Sequence, residues 1–224
     1  MLSRRDELLL AGWDFQKNED IPARLGALAE IETIFHHEEN PETAILLVPG
    51  YADRLVAGLK KLDEMVQKNP SNPSAFAVRG SIYESQGNIE EAKKSYAQAL
   101  QIDPNSEVAA NNLAYLVAEN GGDLQSALGW AQAARKKQPQ NPGIADTLGW
   151  IYYKLGNHVL ARDQLQYAVS IEPGNGVFQY HLGMIYKANK QLSDAERAFR
   201  KAINIPKEFK EKNLAQAALK EIAK

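Results

Sequence analysis

Residues Ser74–Pro104 read SAFAVRGSIYESQGNIEEAKKSYAQALQIDP. The marks of this stretch are Phe76, Gly80, Tyr83, Gly87, Ala92, Tyr96, Ala99 and Pro104. Small and aromatic residues recur three or four apart, which is the period of a helix with one buried face. Gly87 interrupts the run and suits a turn in which a left-handed residue ends the first helix. Pro104 closes the second helix, because the residue before a proline avoids the helical region. The stretch therefore predicts two short helices joined by a turn.

The pattern recurs along the chain. Pro139 stands 35 residues beyond Pro104, and Pro173 a further 34 beyond that. Between them fall Leu113, Ala114, Val117, Ala127, Ala131 and Ala134. The next unit carries Ala145, Leu148, Gly149, Tyr152, Gly156, Ala161, Leu165 and Ala168. A last set is Leu182, Gly183, Tyr186, Ala195, Phe199 and Ala202. Gly121-Gly122 supply the extra residue of the second unit. In-phase repetition at this period marks stacked supersecondary units that cannot bury their apolar faces alone.

This pattern resembles the tetratricopeptide repeat family, a helix-turn-helix of fixed length with small residues at helix crossings and a proline near its end. The resemblance implies an all-α fold, a right-handed superhelical solenoid of antiparallel helix pairs. Four units are expected, over 72–105, 106–140, 141–174 and 175–206. Gly80, Gly149 and Gly183 sit inside helices, where glycine costs about 0.5–1 kcal/mol against alanine. Their recurrence predicts a close approach by another backbone. Ala92, Ala127, Ala161 and Ala195 are the expected small residues facing them. Asn72-Pro73 and Asn141-Pro142 read as an N-cap followed by proline at the first helical position.

The ends are less regular. After Pro206, Phe209, Leu214, Ala218 and Ile222 fall at helical spacing, which predicts a polar-faced capping helix within 207–224. Residues 1–70 read as N-terminal helices that include a degenerate repeat. "YADRLVAGLKKLDEMVQKNP" aligns Leu55, Leu59, Leu62 and Met65 on one face. Upstream, "RRDELLLAGWDFQKN" and "IPARLGALAEIETIF" read as helices, with an irregular join near 38–50 that Pro49 breaks.

Composition excludes several function classes. The chain has 224 residues, a formal net charge of −2 and no cysteine. Disulfide scaffolds, thiol catalysis and cysteine-ligated metals are therefore absent, and no global basic field attracts nucleic acid or anionic lipid. "LLLAGW" lacks the cleavage site of a signal peptide, and "AILLVPGYA" is too short to span a membrane. These features fit the cytoplasm, while a piece of a longer exported protein would sit in the periplasm. The wording "IADTLGWIYYKLGN" resembles the C-terminal repeats of long bacterial proteins.

No nucleophile elbow, P-loop or dinucleotide fingerprint is present. The histidines His36, His37, His158 and His181 lack the spacing of a metal site, and "HHEEN" reads as a solvated helix end. Neither catalytic residues nor a cofactor or metal is expected.

By phase, the family's first helices line a concave groove. Carried onto this sequence, the groove comprises Asn111, Asn112, Tyr115, Asp146, Trp150, Tyr153, Tyr180, His181, Met184 and Lys187, with Ala77, Ser81 and Glu84 in the first unit. Trp150 and Tyr153 fall at places the repeat does not need for its core, while Leu148, Gly149 and Tyr152 are assigned to packing. Aromatic and methionine side chains with polar neighbours suit an extended peptide or an amphipathic helix. The chaperone-type carboxylate clamp would need a lysine and an asparagine where Ala77 and Ser81 stand and a lysine and an arginine where Gly143 and Thr147 stand, and only Asn112 matches. An asparagine ladder is broken by Val78, Thr147 and His181. An RNA groove would be basic, but Glu84, Glu119 and Asp146 here oppose Lys154 and Lys187. The expectation is a non-enzymatic scaffold holding a protein or peptide partner. The competing expectation is an oligomeric scaffold that self-associates through its N-terminal helices.

Overall fold

A computed structural model of the chain describes residues 51–206 and 209–222. The expected helices within 1–50, the irregular join at 38–50 and the pair His36-His37 lie outside the described residues. Ten α-helices run in order among the described residues: α1 Tyr51–Lys68, α2 Pro73–Ser85, α3 Ile89–Ile102, α4 Glu107–Asn120, α5 Leu124–Lys137, α6 Pro142–Lys154, α7 His158–Ile171, α8 Gly176–Ala188, α9 Leu192–Asn204 and α10 Lys212–Ile222. None of them is long and apolar enough to cross a membrane.

Local chemistry sets the helix ends. Asn72 Oδ1 accepts from the backbone N–H of Ser74 and Ala75, and Asn141 Oδ1 from those of Gly143 and Ile144. Asn175 does the same for Val177 and Phe178 without a following proline. Each cap satisfies amides that a helix start leaves unpaired. Gly87 and Gly156 turn the chain inside two pairs with φ of +73° and +78°, a conformation that other residues adopt only with strain.

The pairs α2–α3, α4–α5, α6–α7 and α8–α9 each pack tightly, and each pair stacks on the next. Helix α1 lies against α2, where Leu62 is buried with Ala75 and Ile82, and Leu59 and Met65 pack around them. Among first helices, α4 touches α6, α6 touches α8 and α8 touches α10. The second helices make no comparable contact with one another. The layer whose members touch is the shorter arc of a curved stack, so the first helices form the concave side.

Two expectations change. The helical glycines face side chains more than backbone. A Cβ on Gly80 would stand 2.6 Å from the Tyr96 ring, and one on Gly183 would stand 2.5 Å from the Phe199 ring. At Gly149 the Leu165 side chain fills the space, with the Ala161 carbonyl oxygen 3.1 Å away. The facing alanines Ala92, Ala161 and Ala195 are buried, but the large residue four positions later occupies the notch. In α10 the buried face is Ala215 and Ala218 with Leu219 and Ile222, whereas Leu214 is 54% exposed. Phe209 precedes the helix, and its ring fills the space beside Gly176.

Candidate functional site

The concave layer gathers its aromatics at one place. Tyr115 of α4, Trp150 and Tyr153 of α6, and Tyr180 and Met184 of α8 belong to one apolar cluster with Phe199, Phe209 and Ala215. Helical spacing brings Trp150 and Tyr153 onto one face, three residues apart. Their rings stack with centroids 4.8 Å apart. On its other side Trp150 stacks on His181 of the next pair at 4.0 Å, and Tyr180 leans against it at 6.3 Å.

The polar groups tie neighbouring pairs together. The Trp150 indole N–H donates to Glu119 Oε1 at 2.5 Å. Lys154 lies 3.3 Å from the same oxygen and sits over the indole at 5.1 Å. Burial pushes the Glu119 carboxyl up, but the indole and Lys154 outweigh it and hold the group below the usual range. Beneath the tryptophan, His181 Nδ1 stands 2.8 and 3.0 Å from the two oxygens of Asp146. Both residues are buried, and such pairing is what makes buried polar groups tolerable.

A second network surrounds Tyr96, whose hydroxyl donates to Glu84 at 2.9 Å and accepts from Asn112 Nδ2 at 3.2 Å. The Ser81 hydroxyl lies 3.0 Å from the same oxygen. Asn111 Nδ2 donates to Asn112 Oδ1, while Asn111 Oδ1 is buried with no donor. Burial also raises the Glu84 carboxyl above its ordinary value, against the opposing hydrogen bond from Tyr96 and the charge of Lys210. Tyr115 is pushed well above the ordinary phenol range, first by burial and then by the charges of Glu211, Glu119, Asp146 and Glu84. Tyr180 is pushed up to about 12 by burial and by the Glu211 charge.

These positions sort the expected groove residues. Trp150, Tyr180, Asp146 and His181 are 5%, 7%, 4% and 1% exposed, so they form a floor that packs one pair on the next. The expectation that Trp150 stands free of the core is corrected. Its ring fills the space that His181, Tyr180 and Tyr153 leave between α6 and α8. Tyr115, Tyr153, Met184, Lys187, Asn111 and Asn112 keep accessible surface above the floor. Lys187 is engaged with Glu221 at 2.6 Å. Glu211 had no signal in the sequence, because it precedes the last helix and occupies no signature position. A shallow depression of about 720 Å³ opens at the turns entering α6 and α8, lined by Pro139, Asn141, Glu172, Asn175 and Phe178. It lacks the aromatic density of the floor. Among the described residues no group of three or more His, Asp or Glu is placed to hold a metal ion.

Models described as tetratricopeptide repeat match residues 73–106 and 178–209. Tetratricopeptide repeat protein 16 of Homo sapiens is 24% identical over 181 residues, covering 72% of this chain and 20% of that protein. A TPR repeat-containing protein of Pseudomonas aeruginosa is 25% identical over 122 residues, covering 54% of this chain and 20% of that protein. The chain thus spans about a fifth of the length of these curated relatives. Among solved structures, the type IV pilus biogenesis factor PilW superposes with a TM-score of 0.64 at 17% identity, covering 88% of this chain and 90% of that one. A thermophilic TPR protein of Thermus thermophilus superposes with a TM-score of 0.59 at 18% identity, covering 75% of this chain and 92% of that one. At such identities the structural likeness carries the fold alone.

Proposed function

Since the chain belongs to the tetratricopeptide-repeat family and is in general a protein-interaction scaffold, we propose that its concave face takes up a peptide or amphipathic helix of a partner protein without catalysing a reaction. One observation carries this reading. Aromatic side chains from three successive first helices meet in one cluster, and Tyr115, Tyr153 and Met184 keep accessible surface there. Aromatic residues and methionine are the side chains that anchor partners, because they bury large area with few torsions to freeze. The floor beneath them is stacked and hydrogen-bonded across pairs, so the groove is shaped before a partner arrives. That lowers the ordering cost of binding.

The test compares two double variants in capture from native lysate, quantified by mass spectrometry. Tyr153→Ala with Met184→Ala removes accessible groove surface. Gln132→Ala with Gln166→Ala alters exposed positions of second helices, where each glutamine bonds a tyrosine hydroxyl. The groove variant loses a set of captured proteins that the outer variant retains. Equal capture by both variants refutes the groove reading.

A further inference from the structure

Helix α10 has two open sides of opposite character. It packs on α8 and α9 through Ala215, Ala218, Leu219 and Ile222. Gly183 of α8, which receives the Phe199 ring of α9, stands 34 residues before Ala217. The side of α10 where a further second helix would pack therefore carries Asn213, Ala217 and Lys220, all exposed and none a large apolar residue. That side is a cap. The other open side carries Leu214, which is 54% exposed and stands 34 residues beyond Tyr180. Seven residues on from Leu214, along the same stripe of the helix, Glu221 reaches Lys187 of α8 at 2.6 Å. That ion pair fixes the Leu214–Glu221 stripe on the concave side, in line with the groove.

Single exposed leucines are ordinary on protein surfaces, so position decides what this one means. Its stripe continues a groove whose accessible side chains include Tyr153 and Met184. The lysines that border this part of the groove are already paired, Lys154 with Glu119 and Lys187 with Glu221. An occupant finds apolar surface there between satisfied ion pairs, which favours uncharged apolar side chains over charged ones. We propose that α10 lines the groove as well as capping the stack, and that the partner segment is apolar where it crosses α10, seating a large aliphatic or aromatic side chain on Leu214. This rests on the groove reading above and adds the chemistry and extent of the occupant. Tyr153 on α6 and Leu214 on α10 are two helix spacings apart, roughly 16–20 Å. That span takes about six residues of extended chain or about twelve of helix, so a dodecapeptide covers both positions in either form.

The test is a phage selection of random dodecapeptides on the intact chain, with overlapping peptides of this chain's own sequence added to the library. The expected peptides are rich in large apolar residues and depend on Tyr153, as Tyr153→Ala shows. They bind Leu214→Ser about tenfold more weakly, the scale of re-exposing part of a leucine side chain, and bind Leu214→Met like wild type. More than half of this side chain is already in solvent, so Leu214→Ser changes the melting midpoint little. Alanine at the peptide's key apolar residue costs a similar factor against wild type and little more against Leu214→Ser, because the two changes remove one contact. Peptides that depend on Tyr153 but bind Leu214→Ser like wild type overturn this proposal and leave the groove reading standing. Charged peptides whose binding fades with salt overturn it in the same way, as does preferential selection of the chain's own segments. If no selected peptide depends on Tyr153, both readings fall.

Discussion

Replacing Trp150 with alanine removes the centre of the floor. The ring is 5% exposed and stacks on His181 at 4.0 Å and Tyr153 at 4.8 Å. Truncating a buried aromatic to alanine costs about 3–5 kcal/mol. The lost indole bond adds little, because Glu119 remains 24% exposed and keeps Lys154. We therefore expect about 4 kcal/mol. For a domain of this size that lowers the melting midpoint by roughly 8–16 °C. Trp150→Phe keeps one ring to stack but loses the second ring and the N–H, so it should cost less than alanine, about 1–3 kcal/mol. Urea unfolding followed by far-UV circular dichroism measures both variants. Their slopes are compared with wild type, because stacked repeats can unfold in parts. A cost under about 1 kcal/mol for Trp150→Ala, the level of an ordinary surface change, refutes the assignment of this ring to the floor.

Other expectations follow from particular contacts. Gly149→Ala drives a methyl into Leu165 and toward the Ala161 carbonyl oxygen, and thermal melts should show a loss of about 1–3 kcal/mol. Gly129 is the opposite case, a mid-helix glycine with open space around its Cβ position, so Gly129→Ala should gain about 0.5–1 kcal/mol. Asn141→Ala strips the cap that receives the N–H groups of Gly143 and Ile144, and should cost about 1 kcal/mol in the same melts. Burial raises the Glu84 carboxyl in the folded chain. Its contribution is therefore full below the unfolded pKa and is lost as pH rises through the folded value. Melts from mildly acid to neutral pH should show Glu84→Gln gaining stability relative to wild type as pH rises, and a flat difference would contradict the burial of that carboxylate.

The helix pairs were legible because each is built from local signals. Asn-Pro starts, glycine turns and proline stops act within a few residues, and the period of small residues marks the crossing points. The partners of those small residues were less legible. Spacing places Gly80 opposite Ala92, but only the packed chain shows that the Tyr96 ring fills the notch. The concave side was legible by phase, the depth of its residues less so. Phase puts Trp150 on the concave side but does not say how large its neighbours are. His181 and Tyr180, two bulky residues at positions the family leaves open, convert a surface ring into a buried one. Glu211 depends on how the segment after Pro206 settles beside α8, a contact that no repeat period encodes.

The central claim is that the partner lies on the concave face, above the Trp150 floor. Site-specific photo-crosslinking tests it most directly, with a benzophenone amino acid placed at Met184 or, on the opposite side, at Gln166. The account predicts a partner crosslink from position 184, mapped to a single segment, and none from position 166. Equal crosslinking from both positions, or crosslinking from 166 alone, contradicts it.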